Sequence, residues 1–263
     1  MHAKVFEETQ EQRVVAEFTH QAVAFNASAV MNDARTVDAL IALMPCAPGQ
    51  RWVEVACGPG IIARALAPHV GTVIGVDLTP AMLDTARGAA VDAGLTNVSF
   101  QQGDATALPF ADAAFDGAVT RFSLHHLPEP ARCVDEMARV VRPGGWVAIS
   151  DHLTSTNRLA SAWHQHIERL RDPSHCSCLT PSAIRRMAKE AGLRLVEAQT
   201  EPFSLDFEEW LTRGSGGAAN RARIESALAD RPGVPCFTVT EAPRRLHLVQ
   251  GRFLWRKPAA QHL

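Results

Sequence analysis

Val53-Glu54-Val55-Ala56-Cys57-Gly58-Pro59-Gly60, followed by an acidic residue, Asp77, at the end of the next apolar run, is the stretch that decides how this chain reads. Trp52 to Ala56 is short, apolar and partly β-branched, which predicts a buried strand. Gly58 and Gly60 let the backbone turn sharply and approach a ligand without interference from a Cβ. A helix is expected from about Ile61. Thr72 to Val76 predicts a second strand that delivers Asp77 to the same edge, where a carboxylate can accept hydrogen bonds from both hydroxyls of a ribose. The pattern points to a nucleotide-like cofactor held at the carboxyl edge of a parallel sheet.

The glycine spacing does not identify that cofactor. Gly58-x-Gly60-x-x-Ala63 with a downstream acid also satisfies the dinucleotide fingerprint, so a nicotinamide-dependent oxidoreductase stays open on spacing alone. Charge separates the two readings. A carboxylate such as Glu54, just before the glycine loop, would repel a pyrophosphate. The cationic amino acid end of S-adenosylmethionine could use it, directly or through water.

Outward from this edge, Thr79-Pro80 predicts a helix start with threonine as cap and proline at the first helical position. Met82, one turn in, can lay its thioether against an adenine or simply fill core. Val98 to Gln101 reads as the third strand, closed by Gly103-Asp104-Ala105, and Phe115 to Thr120 as the fourth. Arg121 to Leu127 follows at the carboxyl end, where ligands bind in open α/β sheets. Arg121 or a neighbouring backbone group is expected at the methionine moiety of the cofactor. Ala131 to Val140 predicts a helix, and Arg142-Pro143-Gly144-Gly145 a turn into the fifth strand, Trp146 to Ser150. Ser182 to Ala191, ended by Gly192, predicts another helix. A sixth strand is expected over Leu193 to Thr200, helix over Phe207 to about Ala229 around a break at Gly214 to Gly217, and a last antiparallel strand over Leu246 to Arg256.

Glu54-x-Ala56-x-Gly58-x-Gly60, Val76-Asp77, Gln102-Gly103-Asp104-Ala105 with Leu108-Pro109-Phe110, Phe115-Asp116, His125-His126-Leu127 and Val141-Arg142-Pro143-Gly144-Gly145 occur in this order. The ordered set resembles the class I S-adenosylmethionine-dependent methyltransferases, in the branch similar to the ubiquinone and menaquinone biosynthesis enzymes. The resemblance is strong over about residues 50 to 150 and looser over 14 to 257. It implies an α/β, Rossmann-like, seven-stranded and mostly parallel sheet with an antiparallel last strand and helices on both faces. One methyltransferase domain over 1–263 would then comprise an N-terminal lid helix (11–32), a cofactor core (36–150), a substrate cap after the fifth strand (151–192) and C-terminal strands and helix (193–257). Val14, Phe18, Ala22 and Phe25 share one face of that N-terminal helix, which suits a lid over the cofactor or an amphipathic helix on the sheet edge. In the family, the acid at Asp104 binds the adenine amino group and the next backbone amide reads a ring nitrogen; Asp104 otherwise reads as a turn residue. The expected cofactor contacts are Glu54, Ala56, Gly58, Gly60, Asp77, Leu78, Met82, Gly103, Asp104, Ala105 and Arg121. S-adenosylhomocysteine would be the product.

Methyl transfer from a sulfonium needs a base only if the acceptor arrives protonated. Tyrosine is absent and there are 11 histidines, so imidazole is the natural candidate. His125 leads on position, although His125 and His126 cannot both face one target. His175 follows, because Leu170-Arg171-Asp172-Pro173-Ser174-His175 resembles a recurrent cap segment of related enzymes and Asp172 could orient an imidazole; His152, at the end of the fifth strand, is third. His164-x-His166 and His175-Cys176-Ser177-Cys178 lack standard zinc spacing, so no metal site is assigned.

Composition narrows the partners. A chain of 263 residues with 46% hydrophobic content can bury a sizeable core. Net charge of −2 gives no electrostatic reason to expect nucleic acid. No stretch approaches the roughly 18 to 20 apolar residues of a membrane span, and the six scattered cysteines are expected as reduced thiols. A cytoplasmic enzyme acting on a small organic acceptor, aromatic or heterocyclic, through O-, N- or C-methylation is expected, with monomer and homodimer both open. A non-methylating cyclase or a cofactor-binding protein would share the same first half.

Overall fold

The computed structural model describes residues 8–28, 31–231 and 233–259. In chain order the elements are α1 (Gln10–Ala27), α2 (Ala34–Leu43), β1 (Arg51–Val55), α3 (Ile61–Leu66), β2 (Thr72–Asp77), α4 (Pro80–Asp92), β3 (Val98–Gln102), β4 (Phe115–Arg121), α5 (Pro130–Val140), β5 (Val141–His152), α6 (Arg158–Arg171), α7 (Pro181–Glu190), β6 (Arg194–Asp206), α8 (Phe207–Arg213), α9 (Gly217–Asp230), β7 (Gly233–Val234), β8 (Phe237–Glu241) and β9 (Arg244–Arg256). Residues 29 and 30 of the expected lid, and residues 1–7, 232 and 260–263, lie outside the described set.

The strands form one sheet in the order β3-β2-β1-β4-β5-β9-β8-β7, with β6 on the other side of β9. Strands β1 to β5 run parallel, and β9 is antiparallel to both β5 and β6. Strand order reverses between β1 and β4, which opens a crevice at their carboxyl ends. Adjacent residues of β1 point to opposite faces, as a two-residue period requires. Trp52 belongs to the core under α2 and α3, whereas Val53 and Val55 join the core of α5 and α7.

The sheet has nine strands rather than the seven expected. The additions are β7 and β8: β8 pairs the first half of β9, Leu246 and Leu248 included, while β5 pairs the second half. Strand β6 also runs on through Pro202 to Asp206, past Thr200, where the sequence predicts its end. It pairs only with β9 and Pro202 sits opposite Val249; an edge strand tolerates a missing N–H on its open side.

The layer over the crevice comes from either side of α7. Helix α6 packs with α9 and β7, α8 packs on α9 and α1, and α7 lies against α5 on the sheet. Helix α1 starts with a capping box in which Gln12 N–H donates to Thr9 Oγ1 and Thr9 N–H to Gln12 Oε1. Thr79 precedes α4 as expected, but its hydroxyl makes no capping bond and is buried without a partner. Its backbone N–H instead donates to Asp77.

Candidate active site

Strand β1 ends at Val55; Ala56, with φ of 52°, turns the chain out of the strand, and Gly58 follows at φ 50°. A Cβ on Gly58 would meet nothing closer than Met82 Sδ at 3.9 Å, so this glycine leaves open space beside the loop. Gly60 differs. It adopts φ 71°, and a Cβ there would lie 2.6 Å from the Phe100 ring; it does not line the cavity. Gly60 also carries a packing constraint between α3 and β3.

Asp77 closes β2 and locks the loop. Its Oδ2 accepts from Gly58 N–H at 2.8 Å and its Oδ1 from Thr79 N–H at 2.8 Å. Each oxygen keeps a further lone pair for a ligand. Gly103 N–H donates to the Asp77 carbonyl at 3.0 Å, so the ends of β2 and β3 are joined. Asp104 then accepts from the backbone N–H and hydroxyl of Thr106, both at 2.8 Å, which fixes the turn after β3.

Glu54 is 3% exposed, and its Oε2 accepts from Ala63 N–H in the first turn of α3 at 2.7 Å. Burial pushes its carboxyl up to about 8, against the pull of that N–H. A pyrophosphate would compete with this carboxylate for the helix amides, which argues against a dinucleotide. Arg121 donates to the Met31 carbonyl at 2.9 Å and lies over the Phe122 ring at 4.6 Å. It ties the segment between α1 and α2 to β4.

These groups border a cavity of about 440 Å³, lined by Glu54, Ala56, Gly58, Asp77, Leu78, Met82, Gly103 to Ala105 and Arg121 on the sheet side. Val14, Phe18 and Phe25 of α1 line its other side, while Ala22 is buried. Gln10 pins the start of α1 by donating to the carbonyls of His126 and Ser174. A smaller inner chamber of about 50 Å³ adjoins it, sharing Phe18, Phe25, Phe122 and His126.

The three sequence-selected histidines, His125, His152 and His175, meet, but away from the large cavity. His125 sits in the tight turn Leu124–His126 after β4, and its Nδ1 lies 2.7 Å from Asp151 Oδ1 at the end of β5. His125 and His152 face the inner chamber; their ring centroids are 4.0 Å apart, and His175 lies 5.6 Å from His125. Burial holds all three imidazoles below their ordinary range, His152 at about 3. His126, not His125, lines the large cavity.

A relay that the sequence did not reveal fixes the His126 ring. Ser174 Oγ lies 2.6 Å from Asp172 Oδ1 and 2.9 Å from His126 Nδ1. Burial opposes the charge on Asp172, but His126, Arg171 and the Ser174 hydrogen bonds outweigh it and hold the carboxyl below its usual range. The serine proton therefore goes to the carboxylate, and Ser174 accepts from His126 Nδ1–H. In the neutral ring this tautomer puts the lone pair on Nε2 of His126. Asp172 does orient an imidazole, but through Ser174 and on His126 rather than on its neighbour His175; the Asp172-x-Ser174 spacing carried the only signal. His164 and His166 point apart, the first fully buried and the second exposed. All six cysteines are free thiols, with Cys57 and Cys133 buried, and no helix among the described residues is long and apolar enough to cross a membrane.

Residues 53–149 match the family described as a methyltransferase domain. Over 211 residues the chain is 31% identical to the uncharacterized methyltransferase YcgJ of Bacillus subtilis (strain 168), spanning 80% of this chain and 83% of that protein. The crystal structure of YcgJ aligns with a TM-score of 0.79 at 27% identity, covering 86% of this chain and 99% of that one. A putative methyltransferase from Bacillus halodurans C-125 aligns equally well, with a TM-score of 0.79, 27% identity and coverage of 86% and 100%. Sheet order, glycine loop and these similarities agree: the chain belongs to the class I S-adenosylmethionine-dependent methyltransferases.

Proposed function

We propose that the large cavity holds S-adenosylmethionine along the β1, β2 and β3 ends and presents it to a small aromatic or heterocyclic acceptor beside His126. The bound cofactor supplies an activated methyl group that leaves its sulfur in line with the incoming acceptor atom. In this reading Asp77 accepts from the ribose hydroxyls. Asp104 and the amide of Ala105 meet the adenine, with Leu78 and Met82 against its faces. Glu54 and Arg121 flank the amino acid end, and Ala56, Gly58 and Gly103 leave room for close approach.

The observation that carries the acceptor side is the His126–Ser174–Asp172 relay at the aromatic end of the cavity. A ring whose Nδ1–H is already committed can take an acceptor O–H or N–H proton on Nε2 while the new bond to the methyl carbon forms. Phe18, Phe25 and Phe122 would flank a flat acceptor, and Phe122 stacks on Phe203 at 5.7 Å. Alignment does most of the work, since a near-ideal approach is worth on the order of 7 to 11 kcal/mol.

The test is a panel of small phenols, hydroxylated heterocycles and ring amines incubated with enzyme and S-adenosylmethionine, with S-adenosylhomocysteine as readout. Turnover with a planar acceptor is expected. Panel members that bind without forming any S-adenosylhomocysteine would contradict the assignment.

A further inference from the structure

We propose that His125, His152 and His175 form a binding site for a first-row divalent cation of the zinc type, with an open position toward the inner chamber. The residues come from three separate segments: the turn after β4, the end of β5 and the loop after α6. Each offers one ring nitrogen, and these atoms lie within 4.8 Å of one another. A tetrahedral zinc with nitrogens at 2.0–2.1 Å holds them about 3.3 Å apart, so closing on a cation needs side-chain adjustment and no new fold.

Two of the three rings carry hydrogen-bond partners of the kind that ligating histidines use. Asp151 Oδ1 takes Nδ1–H of His125 at 2.7 Å, and Gln165 Oε1 takes Nε2–H of His175 at 2.7 Å. Gln165 is itself fixed by Cys178 N–H at 2.8 Å. A carboxylate or carbonyl on the far nitrogen sets the tautomer and leaves a lone pair for metal. His152 Nε2 is buried with no partner, as are Asp151 Oδ2 and both Glu168 carboxylate oxygens. Arg171 lies 3.5 Å and the His164 ring 3.8 Å from the Glu168 carboxylate. Unsatisfied groups at this depth are costly, and one bound cation would satisfy the imidazole and balance the buried acids together.

The test uses the full chain prepared without a polyhistidine tag, stripped with chelator and titrated with Zn²⁺ and Co²⁺. One metal per chain is expected, with the visible bands of four-coordinate Co²⁺. His152→Asn should weaken Zn²⁺ binding about 100-fold or more, whereas His69→Asn, at an exposed position, should leave it unchanged. X-ray absorption on the wild-type zinc form covers the case of a variant that does not fold, with three imidazole nitrogens expected around the metal. No stoichiometric binding by folded wild-type protein, sulfur in the metal shell, or equal losses in both variants would overturn the proposal.

Discussion

At the glycine edge the backbone does the positioning, with Asp77 gripping two amides and Glu54 a third within 24 residues of sequence. Around the inner chamber the positioning is done by side chains from separate segments, Asp151 holding His125, Ser174 holding His126 and Gln165 holding His175. On the proposed function the first region would present amides and carboxylates to the polar cofactor. The second would present imidazole and phenyl rings to the acceptor. Cofactor and acceptor duties can thus vary independently, and mutations should separate them.

The largest separation is expected for His126→Ala. Removing the base should lower kcat by about 10² to 10⁴ for a protonated acceptor while leaving the affinity for S-adenosylhomocysteine nearly unchanged. Single-turnover rates with an acceptor found in the panel check this; a full rate in the variant would remove His126 from the chemistry. Asp77→Ala should act on the other region, weakening cofactor binding by about 1.5 to 3 kcal/mol through lost charge-assisted hydrogen bonds. Calorimetry with folded variant decides it, and unchanged affinity would break the assignment. Ser174→Ala should fall between wild type and His126→Ala in kcat, about tenfold down, since the ring loses its orienting acceptor but keeps its nitrogen. A variant as slow as His126→Ala, or as fast as wild type, would mean that the relay is misread.

The smallest effect is one of proton linkage. The folded-state value of about 8 for Glu54 lies above its ordinary 4.5, so the folded chain holds a proton that the unfolded chain gives up in between. The stability this contributes is full below about 4.5 and is lost as pH rises through about 8. A cofactor ammonium nearby favours the carboxylate, so cofactor binding at pH 7 should release part of a proton. Binding heats should then differ between phosphate and Tris buffers, and Glu54→Gln should abolish the difference. Equal heats in wild type would place Glu54 away from the ammonium.

Sequence foretold the glycine edge because its information is local. Strand, turn and acid fall in a fixed order, and backbone conformation needs only the right residue at the right spacing. Gly60 shows the limit: the same motif position proved to be set by the Phe100 ring, a contact from β3. Strands β7 and β8 escaped because a short hairpin on the flank of β9 carries little periodicity, and Pro202 masked the length of β6. On the acceptor side the residue types were legible, and the histidines picked out did converge. Which ring faced which cavity was not, because His125 and His126 diverge through one tight turn and their partners, Asp151 and Ser174, lie 26 and 48 residues away.

The division of labour between the two regions is tested most directly by titrating S-adenosylhomocysteine into wild type, Asp77→Ala and His126→Ala in one calorimetric series. The account predicts a clear loss of affinity in Asp77→Ala and wild-type affinity in His126→Ala. Equal losses in both folded variants, or a loss only in His126→Ala, would contradict it.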